Sequence, residues 1–172
     1  MADQTIPLQT QIGEAFAGSG ANAAHINSVL GSKGGPVETA WTTALATPRA
    51  GYIPFVTVLR PNLPVKPLTL FVNKADLRGS RHETLTWGAA QAGVATGVMQ
   101  AVADGIIPAE MVDSLLLIAA VWVSWDADDA ALVFDNNAQA MRSALEAGAN
   151  HHPRIEDILR LRDQASNPFF SR

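Results

Sequence analysis

Two pairs of polar residues, each with one residue between its members, stand on a predicted strand or continue the face of one beyond its end. His25 and Asn27 form the first pair, and Lys74 and Asp76 form the second. Because side chains alternate between the two faces of a strand, the members of each pair project from one face. Histidine can transfer a proton near neutral pH, while lysine and aspartate can bind a polar substrate. The spacing indicates a candidate site that two strands position.

These residues also have plain structural interpretations. His25 could be a hydrogen-bonded structural histidine, and Lys74 with Asp76 could form an exposed ion pair that contributes little to stability. Gln91 is a further candidate, because it is a polar residue among small apolar ones on a predicted helix. A buried glutamine needs partners, so Gln91 contacts either the backbone or a ligand.

The three other histidines are predicted to be exposed. His82 precedes a predicted helix, and His151 and His152 lie in a polar tail. The His151-His152-Pro153 stretch matches none of the known metal-binding motifs. We therefore expect no metal site.

The composition excludes several classes of protein. The 172 residues carry a net charge of −4, and the basic residues are scattered, so the chain lacks the positive surface of a nucleic-acid-binding protein. There is no cysteine, which excludes disulfides and thiolate chemistry. The first seven residues do not resemble a signal peptide, and the longest apolar run, 115–123, is about half of the roughly 20 residues that cross a bilayer. We expect a cytoplasmic protein without a membrane segment.

The elements that must position the polar pairs alternate along the chain. Strands are predicted at 8–17, 24–30, 52–60, 68–73 and 115–123, the last of them central and buried on both faces. Residues 61–67 contain three prolines and are predicted to form a rigid, extended entry to the strand at 68–73. Strand 52–60 is expected beside strand 68–73.

Three main helices are predicted between and after these strands. The first begins at Pro36, the second covers 83–103, and the third follows the carboxylates at 126–129, which cap it. The apolar face of the first comprises Val37, Ala40, Trp41, Ala44 and Leu45, and that of the third comprises Ala131, Phe134, Ala138, Met141 and Leu145. The pattern is typical of a single α/β (α+β) domain, a mixed sheet packed with helices, over 1–147. A surface helix and arm at 148–172 are expected to dock on a neighbouring subunit.

Eight short motifs follow one another in a specific order. They are Gly13-Glu14-Ala15, Gly18-Ser19-Gly20, Ala24-His25-Ile26, Gly35-Pro36-Val37-Glu38-Thr39-Ala40, Pro61-Asn62-Leu63-Pro64-Val65-Lys66-Pro67, Asn73-Lys74, Gly88-Ala89-Ala90-Gln91 and Asp104-Gly105-Ile106-Ile107-Pro108-Ala109. In this order and spacing, from about residue 11 to residue 135, the chain resembles the formaldehyde-activating enzyme family.

The resemblance implies a fold and an activity. Members of that family condense formaldehyde with tetrahydromethanopterin to methylene-tetrahydromethanopterin and water, a lyase reaction of methylotrophy, one-carbon metabolism and formaldehyde detoxification. They have a fold like the second domain of ribosomal protein S5 and form homopentamers, with the pterin in a cleft between subunits. The resemblance implies tetrahydromethanopterin as a co-substrate and no tightly bound cofactor.

The resemblance also implies roles for individual residues. His25 falls on the catalytic acid, Lys74 and Gln91 on substrate-binding positions, and Val56 on an apolar substrate contact. Asn27 stands where the family typically has aspartate. An amide can still bind the pterin, but it cannot raise the pKa of a neighbouring histidine as a carboxylate does.

Asp76 is the second departure, because the family typically has threonine there. Asp76 is also expected to line the pterin site, and it could return the missing carboxylate to His25 from the neighbouring strand. Three hypotheses remain: a formaldehyde-activating lyase, a non-catalytic paralogue that binds or senses formaldehyde, a pterin or another one-carbon carrier, and a lyase for another amine or carbonyl compound. RNA binding, suggested by the fold analogy alone, conflicts with the acidic charge balance.

Overall fold

The fold is built around one five-stranded mixed sheet. A computed structural model describes residues 8–167 and residue 170; residues 1–7, on which the expectation about a signal peptide depends, lie outside this part. The strands are β1 (Gln11–Ala17), β2 (Ala24–Ser32), β3 (Phe55–Val56), β4 (Val58–Arg60), β5 (Leu63–Pro64), β6 (Leu68–Asn73) and β7 (Leu115–Trp122). The sheet order is β1-β2-β7-β6-β3, in which only β6 and β7 are parallel, while β4 and β5 form a separate hairpin.

Helices cover the two faces of the sheet unequally. They are α1 (Pro36–Ala46), α2 (Gly79–Thr84), α3 (Gln91–Ala103), α4 (Ala130–Ala149) and α5 (Ile155–Arg160), and a π-helical segment, Leu85–Ala90, joins α2 to α3. The large core lies between α3, α4 and one face of the sheet. On the opposite face, Val37 and Trp41 of α1 pack against Leu70 and Leu116. The predicted class, α+β with a mixed sheet in one domain, is confirmed.

The predicted central strand is also confirmed. β7 is the third of the five strands, and its apolar run serves both faces of the sheet. Leu115, Leu117 and Val121 are buried in the large core, whereas Leu116 lies in the cluster beneath α1. A strand with both faces covered needs apolar residues at odd and even positions, which explains the uninterrupted run.

Helix α4 is approached so closely by its neighbours that only glycine fits at the contacts. A Cβ atom at Gly13 of β1 would lie 1.7 Å from the carbonyl oxygen of Ala144, and one at Gly97 of α3 would lie 2.5 Å from that of Ala138. These glycines let β1 and α3 pack directly on the α4 backbone. The position of β1 also fixes the positions of Glu14 and Phe16, which this strand carries.

The segment from 52 to 67 differs from the prediction. A single strand over 52–60 is wrong: β3 pairs with β6 as expected, but β4 leaves the sheet and pairs with β5. Residues 61–67 are not an extended entry either. The chain turns between β4 and β5, where Asn62 has a φ of 64°, a conformation that asparagine tolerates better than most residues. The first strand begins at Gln11, not at residue 8.

The predicted helices exist, with different limits and faces. The helical region predicted at 83–103 begins earlier, at Gly79, and passes through the π segment. Asp129 caps α4 as predicted, since its side chain accepts hydrogen bonds from the backbone N–H groups of Ala131 and Leu132.

The apolar faces of α1 and α4 are only partly as predicted. In α4, Ala138, Met141 and Leu145 are buried, but Phe134 is half-buried and Ala131 is exposed. In α1, Ala40 and Leu45 are exposed, because this helix lies on the sheet without a second layer above it. Helix α5 and the histidines at 151 and 152 are exposed, as expected for the terminal segment. Within the described residues, no helix has the length and apolar character needed to cross a bilayer.

Candidate active site

The end of the sheet face that α1 leaves uncovered carries the candidate site. Phe16 of β1, His25 of β2 and Trp122 of β7 are direct cross-strand neighbours. Glu14 lies opposite Asn27 in the same register. Phe16 is 42% exposed although it is aromatic. The face is therefore open to solvent at the point where polar and aromatic side chains meet.

The His25 ring is held on three sides. Its Nε2 lies 2.9 Å from Oε1 of Glu14, and its Nδ1 lies 3.0 Å from Nζ of Lys74. The Phe16 ring stacks on the imidazole with a centroid separation of 3.9 Å and an angle of 3° between the planes. Both nitrogens and one ring face are engaged, so the imidazole has a defined orientation.

Lys74 reaches His25 because the chain continues along β7 after β6 ends. The backbone N–H of Lys74 donates to the carbonyl of Val121 at 2.7 Å. The side chain then crosses to β2, where Nζ also donates to Oδ1 of Asn27 at 2.7 Å. Three of the residues singled out in the sequence, His25, Asn27 and Lys74, thus form one hydrogen-bonded group.

The pKa values of His25 and Lys74 are both lowered. For His25, burial is the larger cause and the charge of Lys74 the second, while Glu14 acts in the opposite direction. Burial also lowers the pKa of the Lys74 ammonium, and Glu14 again opposes the shift. His25 is therefore neutral near pH 7. Since an ammonium can only donate, Nδ1 is the acceptor from Lys74 and the imidazole proton is on Nε2, which donates to Glu14.

Asp76 faces away from this group. Its Oδ2 accepts from Nε of Arg78 at 3.2 Å, and its backbone carbonyl accepts from Nε1 of Trp125 at 3.0 Å. The Arg78 guanidinium lies 3.5 Å from the centre of the Trp125 ring, in a cation–π contact. The carboxylate that contacts His25 is that of Glu14 and not that of Asp76.

Glu14 was not identified as a site residue from the sequence, although a signal for it exists. It belongs to the Gly13-Glu14-Ala15 motif, and it shares a strand face with Phe16. The missing information was the register between β1 and β2, which places that face beside His25. Pairing register is a long-range property that a local pattern does not give.

Val56 and Gln91 lie in another part of the subunit. Val56 is half-buried on the edge strand β3, where it pairs with Leu70. Gln91 begins α3 and is buried, and its Nε2 donates to the carbonyl of Val58 at 2.8 Å. Of the two interpretations of Gln91, the structure shows the backbone contact. Val56 packs against the cluster beneath α1, whereas Gln91 contacts β4, so neither residue joins the His25 group within one chain.

His82 is buried, so the prediction that it is exposed is wrong. Its Nδ1 accepts from the backbone N–H of Arg78 at 3.2 Å, and its Nε2 lies 3.1 Å from the carbonyl of Val123. The tautomer with its proton on Nε2 satisfies both partners. The side chain ties the start of α2 to the segment after β7, which is a structural role.

An open cavity of about 530 Å³ lies beside Phe16 and Trp122, the aromatic neighbours of His25, while His25, Asn27 and Lys74 themselves do not line it. The aromatic side chains of Phe16 and Trp122 form one part of its wall, and Asp126 and the Gly18–Gly20 turn form another. A cavity with aromatic walls and few polar groups suits a flat heterocyclic ligand. Among residues 8–167 and residue 170, no cluster of three or more His, Asp or Glu side chains could hold a metal ion.

Comparison with known proteins agrees with this geometry. The family model described as formaldehyde-activating enzyme (Fae) matches residues 12–170, nearly the whole chain. The chain belongs to the formaldehyde-activating enzyme family. This membership confirms the resemblance drawn from the eight motifs.

The relatives fall into two kinds. The chain is 41% identical over 162 residues to a 5,6,7,8-tetrahydromethanopterin hydro-lyase of Methanosarcina barkeri, covering 94% of this chain and 91% of the relative. It is also 35% identical to a bifunctional enzyme Fae/Hps of Methanosphaera stadtmanae, over 92% of this chain but 39% of that protein. A similar bifunctional enzyme of Archaeoglobus fulgidus is 34% identical and 42% covered. The chain therefore spans about two fifths of the bifunctional relatives.

Proposed function

We propose that this protein condenses formaldehyde with tetrahydromethanopterin to give methylene-tetrahydromethanopterin and water. The observation that carries the proposal is the 3.0 Å contact between His25 and Lys74 on an open sheet face, where Phe16 stacks on the His25 ring. Phe16 also lines the nearby open cavity together with Trp122. The family membership and the 41% identity to a tetrahydromethanopterin hydro-lyase support the substrate class.

The reaction needs a proton donor at one step. A pterin nitrogen adds to the formaldehyde carbon and forms a carbinolamine, whose hydroxyl leaves slowly as hydroxide. Protonation of that oxygen by His25 lets it leave as water, and the iminium that remains is attacked by the second pterin nitrogen. Holding the two nitrogens near the same carbon speeds ring closure further through proximity.

The remaining site residues bind the substrate. Lys74 and Asn27 present polar groups beside His25, and Asp76 lies two residues beyond Lys74 with its carboxylate paired to Arg78. Val56 and Gln91 contribute an apolar contact and an amide from the other part of a subunit. Because the two groups are separate in one chain, we infer that a cleft between subunits joins them.

The wider setting follows from the same family membership. We infer a homopentamer in the cytoplasm, a fold like the second domain of ribosomal protein S5, and a role in methylotrophic one-carbon metabolism and formaldehyde detoxification. We also propose a division into a formaldehyde-activating-enzyme-like domain at 1–147 and a C-terminal helix and arm at 148–172. The co-substrate is tetrahydromethanopterin, and the chemistry uses no tightly bound cofactor.

A condensation assay tests the proposed function. Purified protein is mixed with tetrahydromethanopterin and limiting formaldehyde, and formation of the methylene product is compared with the spontaneous rate. His25→Ala should lower kcat by roughly 10²- to 10⁴-fold, the usual contribution of a general acid. The exposed His152→Ala is the matched control and should keep the full rate. Wild-type protein that never exceeds the spontaneous rate would refute the proposal.

A second function, binding without turnover, is favoured by one observation. Lys74 contacts the neutral amide of Asn27 where the family typically has a carboxylate. A protein that binds a pterin or a formaldehyde adduct without releasing water would act as a sensor. Calorimetry with tetrahydromethanopterin separates the two functions, since tight binding together with a spontaneous rate identifies a sensor. Turnover gained by Asn27→Asp with Asp76→Thr would then show that these two positions had removed the activity.

A further inference from the structure

Glu14 makes a contact with His25 that the sequence did not predict. Its Oε1 lies 2.9 Å from Nε2, and its side chain is 56% exposed, compared with 25% for His25. The carboxylate thus stands between a partly buried imidazole and solvent. It can rotate away from Nε2 without disturbing the sheet, because only its backbone belongs to β1.

His25 and Lys74 share one proton, which lies between Nδ1 and Nζ. Nε2 carries a separate proton, and it is present wherever the shared proton lies. When Lys74 is an ammonium, Nδ1 accepts from it and the neutral ring has its proton on Nε2. When that shared proton is on Nδ1, the ring is an imidazolium and still has a proton on Nε2. Glu14 accepts the Nε2 proton in both states, and its charge favours the second.

We propose that Glu14 is a positioning residue that holds the acid proton of His25 on Nε2 and stabilises the imidazolium formed when Lys74 passes a proton to Nδ1. The proposal rests on the proposed function, because His25 is taken as the acid. Phe16 assists, since its parallel ring keeps the imidazole in the plane that points Nε2 at Glu14 and Nδ1 at Lys74.

The proton transfers balance over one turnover. Lys74 gives a proton from Nζ to Nδ1, and Nε2 gives its proton to the carbinolamine oxygen, so the C–O bond breaks and water leaves. Lys74 is then a neutral amine, His25 is neutral with its proton on Nδ1, and the iminium carries the positive charge next to Glu14. Ring closure releases a proton from the attacking nitrogen to Nε2, and Nδ1 returns its proton to Lys74.

Two charged groups face His25 and shift its pKa, in addition to the larger effect of burial. Glu14 approaches from β1 and Lys74 from the end of β6, whereas Phe16 of β1 and Trp122 of β7 are uncharged. Because Glu14 raises the pKa values of both His25 and Lys74, removing its charge lowers both. The pair then loses its transferable proton at a lower pH.

Two variants separate the charge of Glu14 from its hydrogen bond. Glu14→Gln keeps an oxygen that accepts from Nε2 but loses the charge, and Glu14→Ala loses both. Glu110→Gln, which removes one charge from an exposed residue on a 3-10 turn, is the matched control. All are made in the full-length protein and measured in two ways: the pH profile of kcat after subtraction of the spontaneous rate, and the ¹⁵N shifts of His25 by NMR without substrate.

We expect Glu14→Gln to keep the Nε2–H tautomer, to lower kcat about tenfold, and to move the alkaline limb of the profile to lower pH with KM for the pterin unchanged. Glu14→Ala should lower kcat further. Because Lys74 then loses its proton at a lower pH and its neutral amine can accept from Nδ1, the Nδ1–H tautomer should appear at a lower pH than in the wild type. Glu110→Gln should match the wild type in both measurements. If Glu14 had only a structural role, its replacement would change neither the His25 tautomer nor the alkaline limb of the kcat profile.

The NMR measurement distinguishes failure of the proposed function from failure of the proposed role of Glu14. If wild-type protein shows no catalysis, the proposed function fails, while the tautomer in Glu14→Ala still decides the role of Glu14. A Glu14→Ala protein with the wild-type tautomer and His25 pKa would overturn the positioning role. In an active enzyme, the positioning role would also be overturned if both Glu14 variants kept the wild-type kcat and the wild-type alkaline limb.

Discussion

At the scale of single residues, the candidate site depends on groups whose charges oppose one another. His25 and Lys74 both have lowered pKa values because they are partly buried, and each is partly compensated by Glu14. Asn27 adds a hydrogen bond to Lys74 without a charge. The result is a histidine that is neutral at pH 7 with a lysine proton within hydrogen-bond distance, which suits proton transfer better than permanent ionisation does.

Replacing Asn27 by aspartate should change the pH dependence of this pair. A carboxylate at hydrogen-bond distance from Nζ favours the charged ammonium, so Asn27→Asp is expected to raise the pKa of Lys74. The pair then keeps its proton to higher pH, and the alkaline limb of the kcat profile moves upward, opposite to the shift in Glu14→Gln. An unmoved or lowered limb in Asn27→Asp would contradict this electrostatic account.

His82 provides a residue-scale prediction about stability instead of activity. His82→Leu removes the partners of the Arg78 N–H and the Val123 carbonyl, both close to a buried ring. Leaving such groups unpaired costs roughly 1–3 kcal/mol, so the free energy of unfolding in urea should fall by about that amount. The exposed His152→Leu is the comparison and should change it little. Equal stabilities of the two variants would show that His82 makes no such contribution.

At the scale of elements, the contacts of α4 determine how the sheet packs against the helices. β1 and α3 both approach α4 through glycines, and β1 in turn presents Glu14 and Phe16 to His25. The site is therefore sensitive to packing on the face of the sheet opposite to it. Alternate residues of β1 point to the two faces of the sheet, so a shift of β1 on α4 would also move Glu14 and Phe16 on the other face.

Gly97→Ala tests the close packing of α3 on α4. The added methyl group would lie 2.5 Å from the Ala138 carbonyl oxygen and 2.8 Å from Cβ of Met141, so the helices must move apart. We expect a loss of about 1–3 kcal/mol in unfolding free energy, as for other overpacked cores. Gly88→Ala, in the same helical region with nothing within 4 Å of its new Cβ, should be neutral or stabilising. A Gly97→Ala protein as stable as Gly88→Ala would contradict the packing described.

At the scale of the whole molecule, the proposed site residues of one chain do not all meet. His25, Asn27 and Lys74 lie on the open face near β1, whereas Val56 and Gln91 lie with β3 and β4 at the other edge of the sheet. A cyclic assembly brings opposite edges of neighbouring copies together. The proposed homopentamer would thereby complete each site from two subunits.

Mixed oligomers test this arrangement. His25→Ala and Gln91→Ala subunits are each expected to have little activity alone. When they are co-expressed and purified together, some interfaces combine an intact His25 group with an intact Gln91, so part of the activity should return. Mixing two preparations of His25→Ala is the control and should recover nothing. No recovery in co-purified mixed oligomers would show that each site lies within one subunit.

Much of the site could be predicted from the sequence because its signals are local. The alternation of side chains along a strand placed His25 with Asn27 on one face, and the motifs around Lys74 and Gln91 identified the family. The uninterrupted apolar run of β7 identified the central strand for the same reason. Such patterns depend on neighbours along the chain, so the amino-acid order is sufficient to predict them.

Only the tertiary structure showed which carboxylate contacts His25 and which of the other histidines is buried. Asp76 follows Lys74 by two residues and yet pairs with Arg78, while Glu14 reaches His25 through the register of β1 against β2. His82 is buried because the segment after β7 covers it. Strand register and the packing of distant segments are set by the whole core, and so they lie beyond any local pattern.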